Sequence, residues 1–128
     1  MNPAEYLDAV KTRLFTEPVV VQVEIRRERS ILTDAHLRAR LGLVDGGSLE
    51  FSEYVQRLPN DEIVVVTYSY HWTDPEGKII RRWDNTPHFP GLPGFPHHVH
   101  EGDETLVVPG KPIDIFAVLE SVSSAIRK

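Results

Sequence analysis

Apolar residues recur along the chain with two periods, and the change from one to the other marks out the elements. Tyr6, Leu7, Val10 and Leu14 fall on one side of a helix of 3.6 residues per turn. Asn2, Pro3 and Glu5 supply the N-cap, the first-turn proline and the acid of a capping box, so a helix is expected through about Phe15. Pro18 ends it. Val19, Val21, Val23 and Ile25 then alternate with more polar neighbours, as a strand does. The run Arg26-Arg27-Glu28-Arg29 leaves that pattern and reads as an exposed strand end or loop.

The next alternation folds back on itself at Asp45-Gly46-Gly47. A three-residue loop there, a type I turn followed by a glycine at positive φ, pairs Val44 with Ser48. Leu43 then faces Leu49, Leu41 faces Phe51 and Leu37 faces Val55 on an apolar side, while His36, Arg38, Arg40, Ser52 and Tyr54 share the other. Leu58-Pro59-Asn60-Asp61 is a turn, and Ile63 to Trp72 is a long strand rich in β-branched and aromatic residues. Asp74-Pro75-Glu76-Gly77 is a second turn, with proline where φ is fixed and glycine where φ must be positive, pairing Asp74 with Lys78. Counting outward, Trp72 faces Ile80, Tyr70 faces Arg82 and Tyr68 faces Asp84. His71, Arg81 and Trp83 lie on the opposite side.

Thr86 to Pro96 carries a proline at every third position, Pro87, Pro90, Pro93 and Pro96, and cannot be regular helix or sheet. An ordered loop packed by Phe89, Leu92 and Phe95 is expected. Short strands are candidates at His97 to His100 and Thr105 to Val108. Ile115, Leu119, Val122 and Ile126 then give a terminal amphipathic helix. The order is helix, antiparallel β-meander of about five strands, His/Pro-rich loop and C-terminal helix: a single α+β domain over residues 1–128.

Composition narrows the classes of function. Apolar residues at 41% and charged residues at 26% are those of a folded globular chain. The absence of cysteine excludes disulfides and thiolate chemistry. No run is long and apolar enough for a membrane span or a signal segment, so a cytoplasmic protein is expected. The formal charge of −5 repels nucleic acid overall, so RNA binding would need a local basic surface. Protonating all six histidines would bring the charge to +1, and four of the six lie between Pro87 and His100.

That window holds the candidate chemistry. Two histidines on either side of a phosphate can act as general base and general acid, an arginine can stabilise the charge that grows on the phosphorus oxygens, and a carboxylate can orient an imidazole. The catalytic candidates are Arg82, Asp84, Asn85, His88, His97, His98 and His100, with His98 and His100 as the acid-base pair or part of it. Arg38, Arg40, Tyr68, Tyr70 and Arg81 are candidates for substrate binding. This is a metal-independent endoribonuclease set, needing no cofactor. The competing reading is zinc or another divalent metal: His98 and His100 point to the same side of a strand, and His88, Asp84 or Asp103 could complete a three-ligand site. His36 and His71 read as packing or surface residues.

The segments LEFSEYV at Leu49 to Val55, YSYHW at Tyr68 to Trp72, RRWDNTPH at Arg81 to His88 and FPHHVH at Phe95 to His100 resemble the TumE-type family of small bacterial and archaeal toxin-antitoxin proteins. The resemblance covers most of the chain after Leu37 and implies a cytoplasmic toxin encoded beside a helix-turn-helix antitoxin that neutralises it. It carries no catalytic residues across, so the ribonuclease reading rests on the His, Arg and Asp chemistry. The expected partners are the cognate antitoxin and an RNA substrate, with no membrane and with a homodimer left open. The alternative is a metal-binding, regulatory or protein-interaction domain of the same fold without nuclease activity.

Overall fold

A computed structural model describes residues 1–127. Helix α1 (Pro3–Thr16) leads into seven strands, β1 (Val20–Ser30), β2 (Asp34–Leu43), β3 (Ser48–Arg57), β4 (Ile63–Thr73), β5 (Ile79–Asp84), β6 (His98–Glu101) and β7 (Val107–Pro109), and helix α2 (Ile115–Ile126) closes the chain. The strands form one antiparallel sheet in sequence order. The expected α+β architecture is present, but the two short segments after the His/Pro loop join the sheet, so the meander has seven strands and not five.

The capping box forms as the sequence predicts: Asn2 accepts from the Glu5 backbone, and Glu5 accepts from that of Asn2. Leu7, Val10 and Leu14 of α1 and Ile115, Val118, Leu119 and Val122 of α2 bury against one face of β2 to β5. Each such side chain is worth roughly 1.5–3 kcal/mol on burial. This helix-bearing face includes Leu37, Leu41, Leu49, Phe51, Tyr70 and Trp83, and the other face of the sheet is free of helices.

Three registers differ from expectation. In β1, irregularities between Val20 and Gln22 and between Ile25 and Arg27 break the alternation. Val19 is buried, whereas Val21 and Ile25 are exposed. In the β2–β3 hairpin the positive φ falls at Gly46, not Gly47, so the loop closes one residue earlier and Leu43 N–H donates to the Gly47 carbonyl. Leu41 faces Leu49 and Ala39 faces Phe51. The pairing has moved by two, which leaves every side chain on its predicted face. Gly47 is needed for another reason: a Cβ there would lie 2.5 Å from the Thr73 carbonyl oxygen.

The third difference matters for function. The Asp74–Gly77 turn forms as predicted, with Asp74 N–H donating to the Lys78 carbonyl. A bulge at Ile80 then inserts one residue, so that Thr73 pairs with Ile79 but Trp72 pairs with Arg81. One residue inverts the faces. Tyr70 faces Trp83, His71 faces Arg82 and Ser69 faces Asp84. Arg82 and Asp84 therefore lie on the helix-free face beside His71 and Ser69, not beside Tyr70 and Tyr68.

Candidate functional site

Strand β6 brings the histidines to the same helix-free face. His98 pairs with Asp84 and His100 with Arg82 across the β5–β6 ladder. Asp84, His98 and His100 are 3%, 1% and 7% exposed. One Asp84 oxygen, Oδ1, accepts from Thr86 N–H at 2.7 Å and lies 3.3 Å from His98 Nε2, and the other, Oδ2, lies 3.2 Å from Arg82 Nε. Neither the His98 nor the Arg82 nitrogen is aligned for a hydrogen bond: Arg82 and Asp84 form an ion pair, and His98 Nε2 is left without a partner.

The imidazole tautomers follow from their partners. His98 Nδ1 lies 3.0 Å from the Pro96 carbonyl oxygen and His100 Nδ1 lies 2.8 Å from that of Glu104. A carbonyl only accepts, so each Nδ1 carries a hydrogen, and a neutral ring then has its lone pair on Nε2. The two rings are 5.0 Å apart at their centres, and Phe89 packs edge-on against both, 4.9 Å from His98 and 6.2 Å from His100. This is where the His/Pro loop meets the sheet. Of its three predicted packing residues, Phe95 is exposed.

Arg82, which contacts Asp84, lines a groove of about 220 Å³ together with Arg38, Glu50, Ser52, Ser69 and His71. A second groove of about 470 Å³ shares Glu50 and His71 with it and reaches Arg40. Arg27 pairs with Arg38 and Arg29 with His36 across the β1–β2 ladder, so Arg27, Arg29, Arg38, Arg40 and Arg82 share the helix-free face with Glu24, Asp34 and Glu50; Asp34 pairs with Arg29 at 2.8 Å and Glu50 with Arg40 at 3.9 Å. Burial holds the His71 imidazole below its ordinary pKa, and the Arg82 guanidinium adds to the effect against Glu104 and Glu50. His36 is held low by burial and by Arg27, Arg38 and Arg29, and its Nε2 lies 2.8 Å from Ser52 Oγ.

Other predicted site residues go elsewhere. His97 stacks on Tyr68 on the helix-bearing side, its Nδ1 2.9 Å from the Tyr68 hydroxyl. Burial, with the charge of Asp84, pushes Tyr68 up to about 12, so it keeps its proton beside His97. Tyr70 is fully buried, donates to Glu53 at 2.6 Å and offers no face to a base. Arg81 pairs with Glu101 at 3.0 Å and lies over Trp83, away from the groove. Asn85 ties backbones together, accepting from Tyr68 N–H and donating to the Val66 carbonyl. His88 is exposed on the loop, against the edge of Phe89. Asp103 accepts from the Thr105 backbone and hydroxyl in the β6–β7 turn and is not among the clustered ligands.

Sequence reading missed two residues. His71 reaches the site only through the bulge. Glu53 is buried at an apolar position of β3 and accepts from Tyr6, Tyr70 and the Ile115 backbone, joining the sheet to both helices. A glutamate in the parity of Leu49, Phe51 and Val55 was the available signal.

A family model described as toxin TumE matches residues 8–128. The chain belongs to the toxin TumE family. No curated protein and no solved structure matches it. The matched span includes the sheet, the Asp84–His98–His100 cluster and α2, so the candidate site of this TumE-family chain lies within the region that defines its membership. No helix among the described residues is long and apolar enough to cross a membrane.

Proposed function

We propose that this chain is the toxin of a toxin-antitoxin pair and that it cleaves RNA on the helix-free face of the sheet. The observation that carries the reading is the convergence on one face of an arginine track with Arg82, Asp84, His98 and His100. Arginines bind phosphates through sequence-independent contacts, and Arg27 and Arg38 face each other across the β1–β2 ladder, with Arg38 lining the groove. Imidazoles supply the proton carriers.

In the reaction, a base removes the proton of a ribose 2′-hydroxyl and that oxygen attacks the adjacent phosphorus. The bond to the 5′-oxygen breaks, and an acid returns a proton to the leaving oxygen. The products are a 2′,3′-cyclic phosphate and a 5′-hydroxyl, with no water consumed and no change of oxidation state. Arg82 lies where it can stabilise the phosphorane charge. His98 and His100 are the acid-base candidates within the cluster. His71, kept neutral near pH 7 by burial and Arg82, opens to the groove and suits the base.

The partner that the reading requires is an antitoxin, expected to be of the helix-turn-helix type and encoded beside the toxin. Induced expression should arrest growth, and co-expression of that antitoxin should restore it. Purified protein incubated with total cellular RNA should yield fragments ending in 2′,3′-cyclic phosphate. A protein that arrests growth while leaving RNA intact would defeat the nuclease reading and keep the toxin.

A further inference from the structure

We infer that Asp84, His98 and His100 bind one divalent transition-metal ion of the zinc class. The three residues each offer one ligand atom, and these atoms lie within 4.8 Å of one another, all on buried residues. Ligands at about 2.1 Å from a tetrahedral ion are roughly 3.4 Å apart, so modest side-chain adjustment closes the set. Two imidazoles and one carboxylate favour zinc, iron(II) or a similar ion over magnesium or calcium, which prefer all-oxygen sites.

Two features separate this cluster from a chance gathering of polar residues. Both histidines give their Nδ1 hydrogens to backbone carbonyls, of Pro96 and of Glu104, which fixes the rings with Nε2 available. Metal-bound histidines are oriented in this manner. Moreover, His98 Nε2 is buried with no hydrogen-bond partner, although it faces a carboxylate at 3.3 Å. A neutral ring in this tautomer sets one lone pair against another, and an unsatisfied buried group costs on the order of 1–3 kcal/mol. A cation between them removes that conflict. Arg82 holds the Oδ2 side of the carboxylate, leaving Oδ1 directed toward His98.

The binding stands on geometry alone, whereas the use made of the ion rests on the nuclease reading. With Nε2 of His98 and His100 holding an ion, proton transfer in the nuclease reading would fall to His71, which would take the ribose proton, and to water, which would protonate the leaving 5′-oxygen.

The test begins with protein stripped by a chelator and titrated with Zn²⁺ alone by calorimetry, with folding followed by circular dichroism. One equivalent should bind, and Co²⁺ in its place should give the visible absorption of a low-coordinate nitrogen- and oxygen-ligated ion. The His98→Gln and His100→Gln variants should each lose at least tenfold in affinity, while His88→Gln should match the wild type. Should those variants unfold, ¹⁵N spectra of the wild type give a second reading: zinc should shift the Nε2 resonances of His98 and His100 and leave those of His88 in place. Absence of zinc uptake, uptake unchanged in both variants, or His98 and His100 resonances that do not move with zinc would each overturn the site. Zinc uptake without RNA cleavage would defeat the nuclease reading and leave the metal site. RNA cleavage by protein that takes up no zinc would do the reverse.

Discussion

Glu53 holds the two helices to the sheet through single hydrogen bonds of 2.6, 2.6 and 2.7 Å to Tyr6, Tyr70 and the first backbone N–H of α2. Burial raises its pKa, against the opposing pull of those three donors. Glu53→Ala strands two hydroxyls and an amide in the core, so urea denaturation should show a loss of about 3 kcal/mol or more, and Glu53→Gln should lose less. A loss below about 0.5 kcal/mol would show that the three donors find other partners. At His97 the sign of the pH effect can be worked out. Burial, then His98, lowers its pKa in the folded chain, so the unfolded chain takes up this proton at higher pH. The stability held by the neutral ring is complete above pH about 6.5 and is lost as pH falls through the folded-state value. The difference in urea midpoint between wild type and His97→Gln should therefore shrink from pH about 7.5 to about 5.5. A constant difference would show that folding does not lower the His97 pKa.

Among the elements, the bulge at Ile80 decides which side chains meet. The capping box, the Asp74–Gly77 turn and the two faces of β2 and β3 are all legible in the sequence, because local chemistry or a long alternation fixes each. The bulge is not. Ile79 and Ile80 are both apolar and β-branched, so the pattern reads equally well in either register, and counting outward from a correct turn still misplaces Arg82 by one face. The grouping of Asp84, His98 and His100 was legible as a composition, whereas its separation from His97, Tyr68 and Arg81 depended on sheet geometry. The loop over the cluster is fixed where Gly94, at φ 82°, passes Gly110 so closely that a Cβ would collide with its carbonyl. Gly94→Ala should displace the loop from β7, cost at least about 1 kcal/mol and weaken zinc binding together with any RNA cleavage. Unchanged thermal stability would show that the contact yields freely.

For the whole molecule, the two faces of the sheet differ. Arg27, Arg29, Arg38, Arg40 and Arg82 lie, among Glu24, Asp34 and Glu50, on the face that holds His71 and the Asp84 cluster, whereas the helix-bearing face is closed by α1 and α2. Removing Arg38 and Arg40 together should weaken binding to single-stranded RNA of any sequence and reduce the slope of log affinity against log salt by about 1.4. A slope unchanged by the double substitution would place the RNA elsewhere. The central claim is that the working face is the helix-free one. The most direct measurement is the initial rate of RNA cleavage by four folded proteins: wild type, Asp84→Asn, Arg81→Ala and His97→Gln. The account predicts a loss of at least about 100-fold for Asp84→Asn and rates within about twofold of wild type for the two variants on the opposite face. Equal losses at Arg81 or His97, with Asp84→Asn retaining its rate, would contradict it.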